Sequence, residues 1–118
     1  VARFIDQTPN YKKADVAASF QEAVVDVLLS KSLAACKESG IENLVIAGGV
    51  AANSRLREVA KQRCEINKIN LSIPPIGLCT DNGAMVAALG SLAISQGVKP
   101  SQIGIGADSA ASIAQVIW

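Results

Sequence analysis

The feature that most narrows the fold is the run Leu44-Val45-Ile46-Ala47-Gly48-Gly49-Val50-Ala51-Ala52-Asn53-Ser54-Arg55-Leu56-Arg57. An apolar strand enters a paired-glycine turn, and a helix opens behind it with an Asn. Glycine at a strand end lets the backbone approach a ligand with no Cβ in the way. The first N–H groups of the next helix have no partners inside that helix, so they present partial positive charge at the turn. A second segment, Cys79-Thr80-Asp81-Asn82-Gly83-Ala84-Met85, puts an Asp and an Asn at another helix start behind another apolar stretch. Two such junctions in 118 residues point to an α/β chain with ligand-binding loops.

The rest of the chain is read around these junctions. Residues 1–13 read as an irregular lead-in, with Thr8-Pro9-Asn10 as turn chemistry and Asp15 as a helix cap. Residues 15–38 contain no Gly or Pro and predict a long helix, stopped by Gly40 in the left-handed conformation. Val16, Phe20, Val24, Val27 and Leu28 on one side and Val25, Leu29, Leu33 and Cys36 on another make it apolar around most of its circumference, so it should be buried on more than one face. Residues 44–47 suit a strand buried on both faces. Residues 53–64 predict a helix with Leu56, Val59, Ala60 and Cys64 inward and Arg55, Arg57, Glu58, Lys61, Gln62 and Arg63 largely outward. Residues 70–73 form the next strand, ended by Pro74-Pro75, and residues 81–96 a third helix with Gly97 as its stop.

The order α-β-α-β-α with short connections implies a mostly parallel sheet flanked by helices. Residues 14–98 thus read as one α/β lobe and residues 99–118 as a loosely packed tail. Two strands cannot cover this much apolar helix. Further strands of the same sheet are expected outside this chain or in a partner, and the isolated chain should self-associate.

With 50% hydrophobic and 18% charged residues the chain can build a core, and its +1 net charge is spread without a polybasic stripe. Nucleic-acid or membrane-surface binding is therefore not the default. Lys12, Lys13, Arg55, Arg57, Lys61 and Arg63 read as a solvated face, with contact to nucleic-acid phosphate as the alternative. Cys36, Cys64 and Cys79 are odd in number and lack a C-x-x-C pair, which favours neither disulfides nor a zinc site and fits a reducing cytoplasm. Cys79 reads as a buried small hydrophobe. There is no signal peptide and no apolar run of the ~20 residues that span a bilayer. Histidine is absent, and the first residue is Val rather than Met, as in a fragment.

Three segments resemble the TsaD family of tRNA N6-adenosine threonylcarbamoyltransferases over about residues 12 to 106. They are Asp15-Val16-Ala17-Ala18-Ser19-Phe20-Gln21-Glu22-Ala23-Val24-Val25-Asp26, then Gly48-Gly49-Val50-Ala51-Ala52-Asn53 with Arg55-Leu56-Arg57, then Cys79-Thr80-Asp81-Asn82-Gly83-Ala84-Met85. The resemblance implies the two-lobed fold of actin, Hsp70 and the sugar and acetate kinases, of which this chain would be a C-terminal part. It implies transfer of a threonylcarbamoyl group from its adenylate to N6 of an adenosine next to the anticodon of tRNA. It implies ATP or threonylcarbamoyl-AMP as nucleotide ligand, with Gly48 and Gly49 at the turn beside the nucleotide and Asn53 binding it. It implies one metal, iron or zinc, held by Asp81 and two histidines spaced H-x-x-x-H, which would lie outside this chain. TsaB-like and TsaE-like partner proteins are also implied. No other catalytic residue is assigned. The family's first phosphate-binding hairpin is missing, and residues 107–118 lack the Arg-rich ending of many members.

Read without the resemblance, Asp81 is a cap or first-turn acid of its helix, Asn53 a helix cap, and Gly48-Gly49 a tight turn that is neither a Walker loop nor G-x-G-x-x-G. Two rivals stand beside the transferase. One is a sugar or acetate kinase of the same superfamily. The other is a non-catalytic, actin-like assembly subunit.

Overall fold

The computed structural model describes residues 1–106, 109, 110 and 112. In chain order it contains α1 (Ala2–Gln7), α2 (Lys13–Ser39), β1 (Asn43–Val45), α3 (Ser54–Ile66), β2 (Asn70–Ser72) and α4 (Gly83–Ser95), with short 3-10 turns at Gly49–Ala52 and Ile76–Leu78. It divides into two compact units, Val1–Thr80 and Asp81–Trp118. In the second, α4 is followed over residues 99–106 by chain with neither helix nor strand. The rest of the expected tail, including Ile113, Ile117 and most of residues 107–118, lies outside the described residues.

The lead-in is not irregular, because residues 2–7 form α1. Asp15 is not the cap of α2. That helix starts two residues earlier behind Lys12, which has extended backbone, and Asp15 sits in the first turn, where its charge favours the helix dipole. The other end is as expected: Gly40 has φ 65°, Ile41 N–H donates to the Cys36 carbonyl at 3.0 Å and Gly40 N–H to Lys37 at 3.4 Å. This double closure of the orphan carbonyls recurs at α4, where Gly97 has φ 78° and Val98 N–H donates to Ala93 at 3.0 Å. It recurs also at α3, where Lys68 takes the left-handed position at φ 56° and Ile69 N–H donates to Cys64 at 2.9 Å. A lysine gives no sign of that conformation in a sequence, which is why α3 runs two residues past its expected end.

The strands are parallel, in the register Asn43↔Asn70, Leu44↔Leu71 and Val45↔Ser72. Of the helices of the first unit, α2 and α3 lie on one face of this ribbon. Val25 and Leu29 of α2 meet Leu56, Val59 and Ala60 of α3, and Ile46, Leu71 and Ile73 pack against that cluster from the sheet side. Leu29, 1% exposed, contributes on the order of 2 kcal/mol by its burial. The α3 stripe is as expected, with Leu56, Val59, Ala60 and Cys64 all buried.

Two burial expectations fail within this chain. Only Val25, Leu29 and Cys36 of α2 are buried, while Phe20, Val24, Val27 and Leu28 face outward. Val45 is 69% exposed, so β1 is covered on one face and not two. Strand side chains alternate between faces, and the only helices packed on the ribbon in this unit, α2 and α3, share one side.

Polar contacts fix how α2 and α3 lie together. Arg55 holds Glu22 with two bonds of 2.8 and 2.9 Å and reaches Glu58 at 3.0 Å, while Arg63 reaches Asp26 at 2.6 Å and Ser30 at 3.2 Å. The partners ascend together along both helices, so the helices run in the same direction. Arg55 and Arg63 are thereby committed to carboxylates of α2 instead of forming an open phosphate surface. The bonded guanidinium of Arg55 pulls the Glu22 carboxyl below its ordinary 4.5, with desolvation opposing. A lowered carboxyl stabilises fully above that ordinary value, and the contribution fades as pH falls through the lowered one.

All three cysteines are buried and free. Burial, and then the neighbouring Cys36, push the Cys64 thiol above its ordinary 9.0. A raised thiol stabilises fully below that ordinary value and loses its contribution as pH rises through the raised one. Urea midpoints of the full-length protein are therefore expected to fall as pH rises past that ordinary value, and Cys64→Ala should flatten that fall. An unchanged alkaline slope in the variant would show that another group controls it.

Candidate nucleotide-binding loops

Because β1 and β2 are parallel, the loops leaving them emerge at the same edge of the ribbon. The C-terminal edge of a parallel sheet is where α/β proteins place ligands.

The first loop carries three of the sequence-predicted residues. Ile46 N–H donates to the Ser72 carbonyl at 3.0 Å and extends the ladder toward the glycines. Gly48 then adopts φ 87° and ψ 176°, a backbone that only glycine enters without strain. Gly49 does not share that requirement. A Cβ built on either glycine meets nothing within 4 Å, so this chain leaves open the space over both. The 3-10 turn that follows was not visible in the sequence, and its Ala51 N–H donates to the Gly48 carbonyl at 2.9 Å. Asn53 caps α3: its Oδ1 accepts from Leu56 N–H at 2.9 Å, and its Nδ2 donates to Gln21 Oε1 of α2 at 3.1 Å. The cap reading of Asn53 is thus correct, and its donor half is turned toward Gln21, a residue that sequence reasoning did not single out as a partner.

The second loop begins at Pro74-Pro75 and ends in Cys79, which is 3% exposed as expected of a small apolar residue. Its Sγ also lies 3.5 Å from the Pro75 carbonyl and receives a hydrogen bond from Arg57 Nη2 at 3.2 Å. Arg57 further donates through Nε to the Ala51 carbonyl at 2.6 Å, and through Nη2 to the Pro74 carbonyl. It is half-buried between the loops, not on the solvated face where charge alone placed it. The signal was present in the spacing, since Arg57, Ala60 and Cys64 follow one another at i, i+3 and i+7 on the buried side of α3.

Asp81 opens the second unit and is exposed. It is not the cap of α4. That role belongs to Asn82, whose Oδ1 accepts from Met85 N–H at 2.9 Å. Among the described residues no three His, Cys, Asp or Glu side chains converge, and the sequence contains no histidine. Nor, among those residues, is any helix long and apolar enough to cross a membrane.

These features define a parallel α/β unit that presents two loops at one sheet edge. The chain belongs to the TsaD family, tRNA N6-adenosine threonylcarbamoyltransferase, whose sequence profile matches residues 2–88. The match begins within α1, earlier than the motifs alone suggested, and takes in both junction segments. A curated relative from Corynebacterium diphtheriae, named tRNA N6-adenosine threonylcarbamoyltransferase, is 48% identical over 117 residues, covering 96% of this chain and 33% of the relative. The chain thus spans about a third of the length of that relative.

Proposed function

We propose that the protein to which this chain belongs moves a threonylcarbamoyl group from threonylcarbamoyl-AMP to N6 of an adenosine next to the anticodon of tRNA. This chain supplies one wall of the nucleotide site. The observation that carries the reading is the convergence of Gly48, Gly49 and Asn53 on one loop at the C-terminal edge of a parallel sheet, with open space over both glycines. There the ATP or adenylate lies along the glycine turn, and the Asn53 amide, which donates to Gln21 here, turns its N–H to the nucleotide while Oδ1 keeps the helix cap. Asp81 contributes one carboxylate to an iron or zinc ion whose remaining ligands, two histidines, come from the rest of the protein; bound, that metal supplies Lewis acidity. The lobe is part of an actin-like and sugar-kinase-like fold, and the enzyme works in the cytoplasm with TsaB-like and TsaE-like partners. With Arg55 and Arg63 paired to α2 carboxylates, most of the tRNA contact falls to other parts of the protein.

Substitutions at Asn53 in the full-length protein test the site. Asn53→Ala loses both roles and should cost about 1 kcal/mol of stability along with nucleotide affinity. Asn53→Ser keeps a capping oxygen and should keep stability while still losing affinity. An ATP titration that finds equal dissociation constants in wild type and both variants would reduce Asn53 to a cap. Absence of turnover by the intact protein with threonylcarbamoyl-AMP and tRNA would favour a non-catalytic assembly subunit instead.

A further inference from the structure

We propose that Arg57 is a positioning residue for the nucleotide site: its guanidinium ties the turn after β1 to the loop after β2 and sets their spacing. This rests on the nucleotide reading given above. The tie consists of the bonds to the carbonyls of Ala51 and Pro74 and to Cys79 Sγ, spread over both loops within the first unit. Two of those anchors are immobilised by burial, Ala51 at 0% and Cys79 at 3% exposure. Ala51 precedes Asn53 by two residues, and Cys79 precedes Asp81 by two, so each anchor lies next to a residue assigned a ligand.

The chemistry of the side chain suits this role. A planar guanidinium holds five N–H donors in a fixed fork and can serve two loops at once, whereas a lysine ammonium acts as a point donor on a flexible stem. The other arginines of α3 that bind across the fold are spent differently. Arg55 and Arg63 pair with carboxylates and hold helix to helix, whereas the Arg57 acceptors given above are all uncharged. Its charge therefore remains to bias the loop edge toward an anionic ligand such as a nucleotide phosphate. Small errors in the placement of binding groups are costly, since a displacement of about 1 Å can cost about a hundredfold in rate.

Arg57→Lys in the full-length protein tests the tie, read by hydrogen–deuterium exchange over residues 48–53 and 74–80 and by ATP titration. Exchange should rise in both loops together, and the ATP dissociation constant should rise about tenfold at unchanged binding stoichiometry. Simple damage to folding would instead lower the stoichiometry and leave the dissociation constant alone, which overturns the proposal. Loosening of one loop without the other, or of neither, overturns it as well. If Arg57→Lys does not fold, Cys79→Ala removes one anchor only. Faster exchange over residues 48–53 in that variant supports the tie, and unchanged exchange there refutes it. A wild-type protein that does not bind ATP defeats the nucleotide reading, and the paired exchange then decides by itself whether Arg57 joins the loops.

Discussion

Asp81→Ala in the full-length protein is expected to strip the bound iron or zinc and to lower tRNA modification more than about a hundredfold, with the melting temperature nearly unchanged. The first part follows from ligand count: losing even an outer-sphere partner of a metal ligand costs about 10–100-fold, and losing a direct ligand costs more. The second follows from the structure. Asp81 is exposed and does not cap α4, so its removal avoids the ~1 kcal/mol that loss of a cap incurs. Asn82→Ala is the converse control. It removes the acceptor for Met85 N–H and should destabilise α4 while the metal stays bound. Elemental analysis and a tRNA-modification assay on both variants check this, and full metal content with normal modification in Asp81→Ala would sink the ligand assignment.

The chain produced by itself should self-associate and show no transferase turnover with any tRNA. Phe20 is 56% exposed, and Val24, Val27 and Leu28 extend the same apolar surface of α2. The sheet has two strands among the described residues, which leaves each with an unpaired edge. In α4, which carries no charged residue, Met85, Val86, Leu89, Leu92 and Ile94 are all at least half exposed. A helix apolar all round is stable only when covered, and apolar patches of this kind drive association. Sedimentation velocity over a range of concentrations decides the matter. A helical, monomeric chain at high concentration would refute the association, and turnover by the isolated chain would refute its being one wall of a larger cleft.

Local chemistry made much of this legible in advance. Gly40 and Gly97 stop their helices because a left-handed residue turns its own N–H and the next one back to donate to the last helical carbonyls, and a glycine announces that conformation. Lys68 does the same work unannounced. The inward stripe Leu56, Val59, Ala60 and Cys64 follows from helical periodicity alone. Asn53 as a cap follows from its place before the first helical residue. The α1 helix was missed because a six-residue segment shows too little periodicity and has no side-chain cap at its start.

Sequence alone determined the longer helices, the family motifs, Asn53 as a cap and Gly40 and Gly97 as helix stops, since these depend on neighbours within about two turns of chain, while the element order with short connections implied the parallel pairing. Tertiary structure decided where the charges go. Arg55, Arg57 and Arg63 look alike in the sequence, yet two hold carboxylates of α2 and one spans two loops. It also decided that Asn82 and not Asp81 caps α4, and that β1 and α2 are covered on one side only within this chain. The reason is physical. A long side chain takes its partner from whatever the fold brings within about 3 Å, and whether a second apolar face is covered depends on surfaces supplied by segments distant along the chain, so neither is written in the local pattern.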